Sequence, residues 1–127
     1  MNINFITLTN LMEGLNALGT KELPFKLSLI VAKNLALLEK EHEFYINQER
    51  EFALKYLEIQ DGQFVQESTG VFKIKAGLED ECHTAREELN NFEVNVDLRL
   101  IPVSLCEHLD ISPKVLMNLE SILDEEG

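Results

Sequence analysis

A chain of 127 residues is the size of one domain, and its 45% hydrophobic content is close to that of an average globular protein, which excludes general disorder. The formal net charge of −12 is the strong deviation. It argues against nucleic acid as a direct ligand, because phosphate binding requires clustered Lys and Arg, and it fits either a partner with a basic surface or a plain solvated surface.

The first half of the chain predicts two helices. Leucines spaced at three and four residues indicate a helix over about 9–18, with Thr7 or Thr9 as its cap. A second helix begins at about Pro24, which suits a first helical turn, and runs to about residue 60, before the breaker Asp61-Gly62. At 1.5 Å per residue its length would be about 54 Å.

This long helix carries a seven-residue apolar repeat, typical of a coiled-coil seam. A helix so long and amphipathic needs a partner to cover the seam. Two polar residues interrupt it, His42 and Glu49. The seam consists of Val31, Leu35, Leu38, His42, Tyr45, Glu49, Phe52, Tyr56 and Ile59.

A third helix over about 77–92 has the clearest helical periodicity of the chain, in Leu78, Cys82, Ala85, Leu89 and Phe92. We expect it to fold back antiparallel on the second half of the long helix, with Phe92 near Tyr45 and Leu78 near Ile59.

The remaining elements are short. A β-hairpin is expected over about 63–75 around the turn "ESTG", and "VNVDLRLI" predicts a half-buried strand over about 94–101. "VSLCEHL" suggests one helical turn, and Ser112-Pro113 opens a closing helix over 113–123. The predicted fold is one mainly α (α+β) domain over 1–127, in which a long antiparallel helical hairpin carries a small β-hairpin at its tip.

The residues do not form a recognisable catalytic or metal-binding set. Glu39-x-x-His42 and Asp80-x-x-His83 resemble di-iron ligand pairs, but the expected register puts the two histidines roughly 18 Å apart. Cys106 and His108 are close in sequence, whereas a nucleophile requires hydrogen-bond geometry. We therefore expect no enzyme activity, no metal and no cofactor.

The sequence also gives expectations about location. The start "MNINFITL" lacks the pattern of a secretory signal, and no run approaches 18 apolar residues. Two cysteines, Cys82 and Cys106, are too few for a disulfide framework. A cytoplasmic protein with no membrane partner is expected.

The first half of the long helix outruns its intrachain partner. Its seam would be covered by the terminal helices, by a second copy of the chain, or by both, which makes a homo-oligomer an expectation. Glu49 must stay wet or find a basic partner, for which Arg50 and Lys55 are near in sequence. The interface candidates are Val31, Leu35, Leu38, His42 and Tyr45.

Two stretches, "KELPFKLSLIVAKNLALLEKE" and "LDISPKVLMNLESIL", resemble a group of small proteins of unknown function from tailed bacteriophages of Gram-positive bacteria. The similar features are the order of elements and a few residues: Lys21 to Leu23, Pro24, Lys26, Ala32, Lys33, Ser112 and Pro113. The insert "FVQESTGVFKIK" departs from that pattern. The resemblance implies a phage accessory protein in the host cytoplasm and brings no catalytic residues.

Three functions follow as hypotheses. The first is an acidic binding protein that occupies or inhibits a host protein with a basic surface, such as a defence nuclease. The second is an oligomeric sponge for a small nucleotide-like signal, and the third is a structural or assembly component of the virion. The candidate phosphate ligands of the sponge are Lys73, Lys75, Arg86 and Arg99.

Overall fold

The computed structural model describes residues 1–126. Its helices are α1 (Phe5–Gly19), α2 (Phe25–Tyr56), α3 (Glu79–Asn91) and α4 (Pro113–Leu119), and short 3₁₀ turns cover Val103–Leu105 and Glu120–Ile122. Its strands are β1 (Asn2–Asn4), β2 (Ile59–Gln60), β3 (Gln63–Phe64), β4 (Glu93–Asn95), β5 (Ile101–Pro102) and β6 (Leu123–Asp124). The predicted mainly α fold with small β elements is confirmed.

The chain divides into two compact units, and its prediction as one domain stays a prediction. Unit 1 consists of residues 1–42 and 93–126 of the described chain, and unit 2 is Glu43–Phe92. The two units differ in the depth of their cores. Among the described residues, the buried apolar side chains of unit 2 are Tyr56 and Cys82, and the rest belong to unit 1.

Unit 1 has a leucine core. α1 begins four residues earlier than predicted, because Asn4 rather than Thr7 or Thr9 caps it: the Asn4 side chain accepts the Thr7 N–H at 2.8 Å. α1 packs on α4, and Gly14 permits a close approach to the buried Leu119. The core residues are Ile3, Phe5, Leu8, Leu11, Leu15, Leu18, Leu27, Val31, Leu38, Val96, Ile101, Leu119 and Ile122.

The strand predicted over 94–101 is divided into two. β4 pairs antiparallel with β1, and β5 pairs parallel with β6. Between them the Leu98 N–H donates to the Val96 carbonyl at 3.0 Å, closing a three-residue turn that shifts the alternation of side chains. Val96 is therefore buried as predicted, whereas Leu100 is 50% exposed.

The chain after Tyr56 forms a small closed β unit. α2 ends at Tyr56 and not near residue 60, because the next residues pair with the predicted hairpin. The Glu58 N–H donates to the Lys73 carbonyl, the Lys73 N–H to Val65, and the Val65 N–H back to Glu58, all within 2.8–3.0 Å. The predicted two-stranded hairpin thus gains a third segment, which satisfies backbone groups that a lone hairpin would leave to water.

Candidate functional site

The polar interruption at Glu49 is the centre of an ion-pair cluster in unit 2. Glu49 accepts two hydrogen bonds from the Arg86 guanidinium of α3, one from Nη1 and one from Nη2 at 2.9 Å. The guanidinium also lies over the Phe52 ring, 4.1 Å from its centroid. Neither Arg50 nor Lys55, the partners proposed from sequence, forms this pair. Glu49 is therefore paired within the chain.

The cluster shifts the acid–base behaviour of its members. The hydrogen bond from Arg86 lowers the pKa of Glu49, and the same bond raises the pKa of Arg86. Burial, followed by the neighbouring Glu49 carboxylate, raises the pKa of Tyr45. The bidentate geometry stabilises the charged forms of both partners, so the cluster joins α3 to α2 across the normal pH range.

The expected antiparallel packing of α3 on α2 is observed, in a register one residue from the predicted one. The ring centroids of Phe44 and Phe92 lie 6.3 Å apart, where the sequence placed Phe92 near Tyr45. Cys82 is buried on the inner side of α3, as its spacing predicted. Helical periodicity on both segments was sufficient to set this register.

Beside the cluster, α2 and the α3 segment enclose an open groove of about 380 Å³, here called the aromatic groove. Its apolar lining includes four aromatic rings and Leu89, and its edge carries exposed charges. An adjacent cavity of about 390 Å³ shares part of this lining and adds Asp80 and Glu81. The aromatic groove is lined by Phe44, Gln48, Glu51, Phe52, Lys55, Tyr56, Ala85, Glu88, Leu89 and Phe92.

Large apolar side chains stay exposed around this groove. Phe92 is 50% exposed and Phe44 42%. Exposed rings that converge on one groove, beside carboxylates, are typical of a surface that receives another molecule. This groove is the strongest candidate binding site in the described part of the chain.

The predicted interface residues lie partly inside the core of unit 1. Val31 and Leu38 are buried by the chain itself, at 4% and 0% exposure, so they are closed to a second copy. Leu35 and His42 are half-buried in the same unit, and Tyr45 is half-buried in unit 2. Of the two coverings expected for the seam, intrachain packing accounts for Val31 and Leu38.

A buried polar residue that the sequence reasoning missed lies in that same seam. Asn34 is 0% exposed, and its side chain donates to the Arg99 carbonyl at 2.9 Å and accepts the Arg99 N–H at 2.8 Å. Its amide thus supplies both bonds that a neighbouring strand would make. Asn34 is three residues after Val31 and four before Leu38, a spacing that marks it as buried.

The predicted phosphate ligands do not assemble into one site. Lys73 pairs with Glu58 at 3.3 Å, the Lys75 ammonium donates to the Leu54 carbonyl at 3.0 Å, and Arg86 is committed to Glu49. Arg99 belongs to unit 1, whereas the other three belong to unit 2. The three predicted ligands in unit 2 are thus each used in an intrachain contact.

The two carboxylate-histidine pairs considered for metal binding belong to different units. His83 pairs with Glu87 at 3.2 Å on the exposed side of α3, and His42 belongs to unit 1. Within residues 1–126, no group of three or more His, Cys, Asp or Glu side chains has the arrangement of a metal site. Burial raises the pKa of the Cys106 thiol, which disfavours its thiolate form.

Comparisons with known proteins leave the function open. No family model, curated protein or solved structure matches the chain. None of the helices in residues 1–126 has the length and apolar character needed to cross a membrane.

Proposed function

We propose that this protein acts by binding, and that it occupies a basic surface of a host protein through the aromatic groove of unit 2. The observation that carries the proposal is the combination of exposed rings, Phe44 and Phe92, with the carboxylates of Glu51 and Glu88 in one groove. Aromatic anchors provide binding energy, and carboxylates select a cationic partner.

The charge of the whole chain supports the same partner class. A net charge of −12 on 127 residues creates a field that attracts basic surfaces from a distance and raises the association rate at low salt. Near the groove, Asp80 and Glu81 extend the acidic surface into the adjacent cavity. An inhibitor of this kind would compete with nucleic acid for the groove of a basic host protein, such as a defence nuclease, without any catalytic step.

A phage origin is part of the proposal and rests on the resemblance of "KELPFKLSLIVAKNLALLEKE" and "LDISPKVLMNLESIL" to small phage proteins. The host cytoplasm would then be the place of action. The nucleotide sponge receives less support, because Lys73, Lys75 and Arg86 already have intrachain partners.

The proposal is tested by affinity capture followed by reconstitution. Immobilised protein would be exposed to a bacterial lysate, bound proteins identified by mass spectrometry, and the strongest candidate purified and titrated calorimetrically. We expect a stoichiometric complex with a basic protein, whose affinity falls at least tenfold between about 50 and 300 mM salt.

Matched charge reversals decide whether the groove is responsible. The groove variant combines Glu51→Lys with Glu88→Lys, and the control variant combines Glu13→Lys with Glu22→Lys. Each variant removes two negative charges and adds two positive ones, so each changes the net charge from −12 to −8. All four positions are exposed. The groove variant should abolish the purified complex and the control should retain it; equal weakening by both would refute a role for the groove.

A further inference from the structure

The outward side of α2 within unit 1 carries an apolar stripe bordered on one side by lysines, here called the basic face. Its apolar members recur at spacings of four, three and four, which places them along one side of the helix. Phe25 is 80% exposed and Leu29 38%. The basic face consists of Phe25, Leu29, Ala32 and Ala36 with Lys26, Lys33 and Lys40, all of them exposed.

This face is opposite to the one that builds the core of unit 1, which α2 forms with Leu27, Val31, Asn34 and Leu38. Within residues 1–126, no hydrogen bond or ion pair is made by the side chains of its lysines. Phe25, in the first turn of α2, buries little of its apolar area within its own chain. The stripe can therefore contact another molecule.

The aromatic groove of unit 2 has the complementary chemistry. It offers rings to an apolar stripe and the carboxylates of Glu51 and Glu88 to lysines. From Phe44 to Tyr56 the α2 wall of the groove spans twelve residues, or about 18 Å, and Leu29 to Lys40 spans about 16 Å on the basic face. An amphipathic helix laid in an apolar groove is a recurrent mode of recognition.

We propose that the aromatic groove of one copy receives the basic face of α2 from a second copy, so that the protein self-associates. The second copy is the occupant because its basic face offers the lysines and apolar side chains that match the carboxylates and rings of the groove. The smallest assembly is a dimer, held by the lysine–carboxylate pairs and by apolar contact.

Self-association and partner binding then use the same groove. A basic host protein would have to displace the second copy, and binding it would dissociate the assembly by mass action. The self-association does not depend on the host protein, so the two proposals can fail separately.

The test is a charge exchange, measured as absolute mass by light scattering and sedimentation over about 1–500 μM protein. The wild type should exceed its monomer mass of 14.5 kDa as concentration rises. Lys33→Glu with Lys40→Glu, and Glu51→Lys with Glu88→Lys, should each raise the dissociation constant by about 100-fold, because like charges would then face each other. An equimolar mixture of the two variants should associate again, since each supplies the reversed partner of the other.

The control Glu13→Lys with Glu22→Lys should self-associate like the wild type, and circular dichroism checks that every variant stays folded. A wild type that remains monomeric at every concentration would overturn the inference and leave the groove to a partner of another sequence. Oligomers that persist in both groove and basic-face variants would also overturn it, because the interface would then lie elsewhere. Lys33→Glu with Lys40→Glu keeps the groove intact, so loss of the host complex in this variant would count against the proposed function alone.

Discussion

Replacing Asn34 by alanine removes the polar side chain that, among residues 1–126, is fully buried, and should strongly destabilise unit 1. The change deletes both hydrogen bonds to Arg99, whose N–H and carbonyl lie 2.8 and 2.9 Å from the amide. A partly buried backbone group left unpaired costs about 1–2 kcal/mol, so the two together cost about 2–4 kcal/mol. The higher helix propensity of Ala returns about 0.5 kcal/mol, leaving a net loss of about 1.5–3.5 kcal/mol.

The assay combines urea unfolding, followed by circular dichroism, with amide hydrogen exchange. Exchange is needed because the Arg99 amide reports on the bond itself, and its protection should fall in the variant. The control Asn16→Ala makes the same chemical change at an exposed position of α1 and should be neutral or slightly stabilising.

Asn34→Asp separates the two bonds. It keeps an acceptor for the Arg99 N–H but places a carboxylate oxygen against the Arg99 carbonyl, so at neutral pH we expect destabilisation at least as large as that of the alanine variant. Acidification should restore part of the stability, because a protonated carboxyl can donate again. A loss below about 0.5 kcal/mol in Asn34→Ala, or equal losses at Asn34 and Asn16, would refute the reasoning.

Two further perturbations test the ion-pair cluster and the closest helix contact. Removing Glu49 and Arg86 singly and together should give a coupling energy of about 1 kcal/mol in urea unfolding, modest because both side chains are about one-third exposed. The pKa of Glu49 is lowered in the folded state, so the stability from the ion pair is present above the ordinary pKa of 4.5 and is lost as the pH falls through the lowered folded pKa. Glu49→Gln should remove this loss of stability at acid pH. An acid unfolding profile that is unchanged in Glu49→Gln would contradict the assignment. Gly14→Ala should lower the melting temperature by several degrees, because the added Cβ would lie 2.7 Å from the Leu119 side chain. In the control Gly19→Ala the added Cβ would meet no atom within 4 Å, so this variant should raise the melting temperature slightly. Similar shifts in the two variants would contradict close packing at Gly14.

Local patterns in the sequence predicted the helices well, because the information lies within a few residues. The spacing of Leu78, Cys82 and Ala85 fixed α3 and its inner side, and the breaker Asp61-Gly62 marked the turn after α2. Asp61 and Gly62 both have positive φ, 52° and 77°, as an Asp-Gly hairpin turn requires.

Pairings between distant segments could not be predicted in this way. β1 pairs with β4 across some ninety residues, and three residues carry too little pattern to reveal a strand. The strand over 94–101 failed for a related reason. Its alternation is regular, but the Val96 N–H donates to the Met1 carbonyl and the Arg99 N–H to Asn34, and both partners lie far along the chain.

At the site, the sequence showed the two halves of the ion pair without joining them. The sequence predicts that Glu49 either stays exposed to water or finds a basic partner, and it offers Arg86 only as a candidate phosphate ligand. Arg86 is four residues after the buried Cys82, so it falls on the inner side of α3, and the predicted register already placed it within one turn of Glu49. Applying that register to charged residues as well as apolar ones would have found the pair.

The uneven cores of the two units connect this ion pair to binding. Unit 2 buries few apolar side chains completely, and much of its aromatic surface faces the groove, so the Glu49–Arg86 bridge and the closed β unit supply order that a deeper core would otherwise provide. In such a unit the aromatic rings of the groove are held in position while they remain exposed to solvent. Because the groove is ordered before binding, a docking helix loses little free energy to reorganising it, and the apolar area that it covers counts toward affinity. The same argument applies to a helix from a host protein and to a helix from a second copy. The partner that the groove binds is therefore selected by the lysines beside that helix's apolar stripe, and not by the stripe itself.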